Sequence, residues 1–167
     1  MRKKFIAGNW KMYTNSTTAE ALAAGVVKGV GIDTSVEVAL CPPFPYLAKV
    51  ASAVKGSPVA LGAQNCYHEK EGAFTGEVSP AMLIDVGCKH VILGHSERRH
   101  NMGETDAFIN RKVHAALTAG LEAILCLGET LEQREGNQTE KVLDTQLTEG
   151  LAGISGEKLA RITLAYE

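Results

Sequence analysis

Aromatic residues make up only 5% of this 167-residue chain, and neither sign of charge dominates, with 17 Lys and Arg against 19 Asp and Glu. A net charge of −2 excludes the basic footprint of a nucleic-acid or anionic-membrane binder. No apolar run approaches the ~18 consecutive residues of a membrane span. Nor is a secretory leader expected. Arg2, Lys3 and Lys4 imitate its basic start, but Phe5-Ile6-Ala7 is too short an apolar run before Asn9 and Lys11 intervene. Cys41, Cys66, Cys88 and Cys126 stand far apart, without the Cys-x-x-Cys spacing of a zinc or thioredoxin-like site. They read as free, packed thiols of a cytoplasmic protein, and no metal is expected. Asn15-Ser16-Thr17 and Asn137-Gln138-Thr139 match the glycosylation pattern, which matters only in a secreted chain and is taken as chance.

What the chain does have is alternation. Strand-like runs at Lys4–Asn9, Val36–Cys41, Val59–Ala63, His90–Gly94, Glu122–Leu127 and Arg161–Tyr166 are separated by helical patterns near Thr17–Val30, Pro45–Val54, Pro80–Val86, Glu104–Ala119 and Gln138–Leu151. In Glu104–Ala119 the residues Phe108, Val113, Ala116 and Leu117 form an apolar stripe, and Gly120 suits the C-terminal cap. Short β-branched strands between helices predict a parallel sheet covered on both faces. The chain, residues 1–167, reads as a single α/β domain, either an open doubly wound sheet or a (β/α)8 barrel; periodicity does not choose between them. Gln64 to Ser79 is the one long loop, of the kind that usually serves a function or an interface.

Both architectures place ligands beyond the C-terminal ends of their strands. Asn9 and Lys11 follow the first run, His95, Ser96 and Glu97 the fourth, Glu129 the fifth, and Glu167 the sixth. A Lys, a His and a Glu at one rim supply an anion anchor, a polarising donor and a base, which suits proton abstraction beside a carbonyl. A Ser-His nucleophile pair is disfavoured, since His95 and Ser96 are adjacent and no Asp orienter lies near. His68, His90, His100 and His114 lack ligand spacing and are given no role. Cys126 is read as a packed thiol, and Glu129 either as a helix-start acid favoured by the dipole or as a residue behind the site.

The stretches Phe5-Ile6-Ala7-Gly8-Asn9-Trp10-Lys11-Met12, Gly62-Ala63-Gln64-Asn65, Phe74-Thr75-Gly76-Glu77, Ile92-Leu93-Gly94-His95-Ser96-Glu97-Arg98-Arg99 and Leu164-Ala165-Tyr166-Glu167 resemble, in order and spacing, the triosephosphate isomerase family. The resemblance implies the first six βα units of a (β/α)8 TIM barrel, an incomplete barrel. It also implies the interconversion of dihydroxyacetone phosphate and glyceraldehyde 3-phosphate without a cofactor. Glu167 matches the base and His95 the neutral imidazole that donates to the carbonyl oxygen. Lys11 matches the cation that steadies the anionic substrate, and Asn9 its polar neighbour. Ser96, Glu97, Cys126 and Glu129 are supporting residues, with Glu97 expected to reach Lys11. The loop with Gln64, Asn65, Thr75, Gly76 and Glu77 matches the dimer loop, whose Thr75 would enter the partner's site; a homodimer is implied, or a complementing C-terminal fragment as partner.

A closed barrel of this kind needs ~250 residues. The expectation is therefore that two βα units, a lid and the phosphate loops lie outside this sequence, leaving raw strand edges and little activity in the isolated chain. The alternative is a non-catalytic folding or assembly unit.

Overall fold

The computed structural model describes residues 4–167; Arg2 and Lys3 of the basic start lie outside the described residues. Strands β1 (Lys4–Asn9), β2 (Val36–Cys41), β3 (Val59–Ala63), β4 (Cys88–Leu93), β5 (Glu122–Leu127) and β6 (Ile162–Tyr166) form one sheet in sequence order. Every neighbouring pair is parallel. The crossovers carry α1 (Ser16–Val30), α2 (Leu47–Val54), α3 (Pro80–Asp85), α4 (Ser96–Asn101), α5 (Asp106–Ala119), α6 (Leu131–Glu135) and α7 (Thr139–Gly150).

The sheet is curled. Strands in a flat sheet lie ~4.8 Å apart, so β1 and β4, three positions removed, would be separated by roughly 14 Å. Yet the rings of Phe5 on β1 and His90 on β4 stack with centroids 4.8 Å apart. The concave face holds Cys41, Ile92, Ile124 and Cys126, with Phe5 and Ala165 packed against them. Residues of opposite parity, such as Leu40, Val91, Leu93 and Leu125, point outward to Leu83 of α3 and Ile109, Val113 and Leu117 of α5. This is the curvature of a barrel wall; among the described residues β1 pairs only with β2 and β6 only with β5.

Helix starts follow local chemistry. The Asn15 side chain accepts from the amides of Thr17 and Thr18 and forms a capping box, so one apparent glycosylation motif is the start of α1. Thr105 caps α5, which begins two residues later than the apolar pattern suggests, because Glu104 is instead buried against Lys112. Gly120 closes α5 with φ 111°, as expected. Two other boundaries move: β4 begins at Cys88 and ends before Gly94, and Arg161 belongs to the 3₁₀ turn Gly156–Arg161 rather than to β6. The turn Phe44–Tyr46 precedes α2 because Pro45 occupies its start. Helices α4 and α6 have no counterpart in the apolar periodicity, since neither has a fully buried residue to pattern.

Candidate active site

The side chains after β1, β4 and β6 converge. Lys11 follows β1 with φ 51°, a left-handed conformation costing about 1–3 kcal/mol in a non-glycine residue. It is held from both sides. Its amide donates to Asn9 Oδ1 at 3.0 Å, and its carbonyl accepts from Gln64 Nε2 at 2.8 Å; Gln64 Nε2 also reaches the Cys41 carbonyl, at 2.8 Å. This conformation sends Lys11 Nζ to Glu97 Oε1 at 2.8 Å. The hydrogen bond to Glu97 raises the Lys11 pKa, and the same bond lowers that of Glu97, so both carry charge at neutral pH.

His95 stands at the N-cap of α4, and the Glu97 amide donates to its Nδ1 at 3.3 Å. A ring nitrogen that accepts carries no proton, so we assign the N–H of neutral His95 to Nε2. Glu97 Oε2, 3.4 Å from Nδ1, belongs to a carboxylate whose other oxygen is committed to Lys11. Nε2 faces Glu167 Oε1 at 2.7 Å, while the Ser96 amide donates to Glu167 Oε2 at 2.8 Å. One carboxylate thus accepts from an imidazole N–H and from a backbone amide at the start of a helix. His95 also walls a cleft of about 380 Å³ together with Asn9, Lys11, Gln64 and Glu97, flanked by Phe44 and Met102.

Supporting contacts reach these groups from below. Arg99 donates to the carbonyls of Gly94 and Cys126, at 2.7 and 3.1 Å, tying the end of β4 to the end of β5. Gly94 sits at φ 72°, where a side chain would also crowd Arg99. A Cβ on Gly128 would meet the Glu167 carbonyl oxygen at 2.1 Å, so only glycine lets Glu167 lie this close to the end of β5. Glu129 accepts from Arg134 at 2.8 Å, Thr139 at 3.2 Å and Tyr166 Oη at 2.9 Å, anchoring the residue before Glu167. Burial pushes the Cys126 thiol up to about 12, so it remains a thiol. Cys41, Cys66 and Cys88 are likewise free and buried.

The structure thus brings Asn9, Lys11, His95, Ser96, Glu97 and Glu167 together, with Cys126 and Glu129 behind them. Within the long loop, Gln64 joins the Lys11 turn, and buried Asn65 accepts from Lys112 Nζ at 3.0 Å. Thr75, Gly76 and Glu77 stand exposed at the loop's far end, where Thr75 makes no hydrogen bond to the cleft residues. Arg99, Gly128 and the Gln64 contact to Lys11 are the additions that sequence reasoning missed. Only the Arg98-Arg99 pair within the fourth motif hinted at one of them.

A family model for triosephosphate isomerase matches residues 4–167. The chain belongs to the triosephosphate isomerase family. It is similar to proteins named triosephosphate isomerase from Carboxydothermus hydrogenoformans, 55% identical over 100% of this chain and 66% of the relative, and from Rhodopirellula baltica, 55% identical over 99% and 65%. A third, from Geobacter metallireducens, is 50% identical over 100% of this chain and 66% of its own length. The chain therefore spans just under two thirds of these curated relatives. Family membership matches the fold, since six parallel βα units in sequence order are the first six of a TIM barrel. No helix among the described residues is long and apolar enough to cross a membrane.

At the opposite end of the strands, Glu37, His90 and Glu122 offer ligand atoms within 4.8 Å of one another, a juxtaposition that no sequence spacing shows and the only such trio among the described residues. Lys89 is bonded to Glu37 and lies 3.5 Å from Glu122, so an ammonium already supplies positive charge where a metal ion would sit.

Proposed function

We propose that this chain carries the proton-transfer centre of a triosephosphate isomerase, interconverting dihydroxyacetone phosphate and glyceraldehyde 3-phosphate through an enediolate, in the glycolytic and gluconeogenic interconversion of trioses. The observation that carries the reading is the His95 Nε2–Glu167 Oε1 contact of 2.7 Å beside a cleft that also holds Lys11. A substrate entering here takes over the His95 donor, freeing Glu167 to swing from Ser96 toward carbon. Glu167 removes a proton from the carbon beside the carbonyl and returns it to the neighbouring carbon. His95 Nε2–H donates to the oxygen where charge develops, and Lys11 with Asn9 steadies the anion. No cofactor enters these steps.

The same reading makes the protein a cytoplasmic homodimer. Its support is the exposed loop end, with Phe74 40% accessible, and the exposed Met12 and Met102 at the cleft, which together leave apolar surface for a second copy. The test is turnover of either triose phosphate by the chain alone and by the chain joined to the remaining third of a relative. Turnover that is lost on Glu167→Gln supports the reading. A folded, joined protein that binds a triose phosphate but does not interconvert it overturns the reading.

A further inference from the structure

A second cavity, of about 820 Å³, lies on the outside of the sheet between α3, α5 and the start of the long loop. Its volume is in the range of small-molecule sites. It is separate from the catalytic cleft, and its helices flank β4 in the middle of the strand order, away from the free edges of β1 and β6 where further strands would pair.

Apolar surface forms its body: Pro80, Ala81 and Ile84 from α3 face Ala115 and Ala119 from α5. Ile84 is 40% accessible, so this surface is not already covered by the chain. Most of the polar lining is basic, and His114 is tied to the Ala152 carbonyl at 2.8 Å. Arg98, Arg99, Arg134 and Arg161 all donate hydrogen bonds, whereas Arg111 is the one arginine among the described residues with no hydrogen-bond or ion-pair partner. Its guanidinium is nevertheless held, stacked 5.2 Å from the centre of the Phe108 ring. The imidazole of His68 packs edge-on against the same ring at 5.4 Å, and its buried Nδ1 has no partner. Lys70 adds an ammonium with no partner among the described residues, and the single carboxylate in the lining, Glu69, lies 3.5 Å from His68 Nε2.

We propose that this cavity binds an amphiphilic organic anion, a carboxylate on an apolar body, with the head group on Arg111 and the body between α3 and α5. A planar guanidinium already fixed on an aromatic face loses little freedom in gripping a carboxylate through two N–H donors. The apolar body replaces water on Ile84 and the three alanines.

The probe is decanoate, with decan-1-ol and decylammonium as matched controls, followed by methyl-resolved NMR of the chain. Decanoate should shift the Ile84 and Ala115 methyl signals, and the alcohol should bind about tenfold more weakly for want of the charged hydrogen bonds. Arg111→Gln should weaken decanoate about tenfold and leave the alcohol unchanged, while Arg111→Lys should restore part of the loss. Arg111 makes no hydrogen bond among the described residues, so neither substitution removes one from the fold, and Ala115→Phe should block all binding by filling the cavity. Equal binding of the three probes, shifts away from α3 and α5, or indifference to Arg111→Gln overturns the proposal. So do methyl shifts that follow protein concentration without ligand, which would mean a second copy occupies the groove.

Discussion

Both ends of the curled sheet carry a lysine, a histidine and two glutamates, and the two ends satisfy them differently. At the N-terminal ends of the strands Lys89, His90, Glu37 and Glu122 close on one another: the ammonium bonds Glu37, and the imidazole is only 3% exposed, with Nε2 3.2 Å from Glu37. At the C-terminal ends Lys11, His95, Glu97 and Glu167 are arranged differently. Lys11 takes Glu97 alone, a backbone amide fixes the proton on His95, and Glu167 is 30% exposed beside the cleft. Residue type is the same; what differs is who satisfies whom. Groups tied mainly to one another, with the imidazole closed off from solvent, offer a substrate little, whereas a carboxylate held by donors that a substrate can replace remains available.

The largest effect should separate the two histidines. In an assembly with measurable triose phosphate turnover, His95→Asn should lower kcat by about 10²–10³-fold through the lost donor to developing charge. His90→Asn should leave turnover per folded molecule within about twofold, because it touches no reacting group. Steady-state kinetics on both variants checks this, and a large loss at His90 would mean that the two ends are mechanically coupled.

Next comes Glu167→Asp, which withdraws the carboxylate by one methylene. Misplacement of ~1 Å costs ~10²-fold in rate. In the proposed reaction Lys11 and His95 hold the substrate, so the reduction should fall on kcat with little change in KM; a KM effect alone would make Glu167 a binding residue.

Most of the candidate site was legible because its residues follow strand ends directly, and strand ends were visible as breaks in short β-branched runs. Val36–Cys41 and Glu122–Leu127 needed no revision. The motif resemblance then gave Lys11, His95 and Glu167 their roles. The opposite end was invisible for a physical reason: Glu37, His90 and Glu122 meet only because the sheet curls, and curvature leaves no periodicity in sequence. The register shift between Leu61 and Gly62 against β4, which falls beside Lys89, is equally silent in composition. Helix α4 was missed because its residues serve the site rather than the core.

Acid should distinguish the ends by where stability begins to fall. Burial holds the His90 pKa below 6.5 in the fold, so the unfolded chain takes up that proton more readily. Its contribution is complete above pH 6.5 and is lost as pH falls through the folded value. Glu37, lowered from 4.5 chiefly by its hydrogen bond to Lys89, loses its contribution only below about pH 4.5. Glu97 in the candidate site behaves like Glu37, with solvent screening reducing the effect. Urea denaturation of the parent and of His90→Gln should therefore diverge in slope between pH 6.5 and 4.5, with the variant flatter. Parallel curves would show that His90 is not the group titrating.

The smallest effect belongs to Lys89. Its side chain is 49% exposed, so removing its pairs in Lys89→Met should cost about 1 kcal/mol or less. The informative change is in His90. Burial is the main force lowering its pKa, and the Lys89 charge adds to that, while Glu37 and Glu122 pull the other way. With the ammonium gone, the carboxylates act on the imidazole unopposed by Lys89, and the His90 titration followed by NMR should move upward. The acid loss of stability between pH 6.5 and 4.5 should shrink with it, because the folded and unfolded pKa values come closer together. Lys11→Met offers the matched substitution at the other end and should leave the His90 titration where it was. If both lysines shift His90 alike, the charge felt there is the net charge of the whole protein. A shift confined to Lys89→Met would instead show that the N-terminal cluster is a self-contained unit.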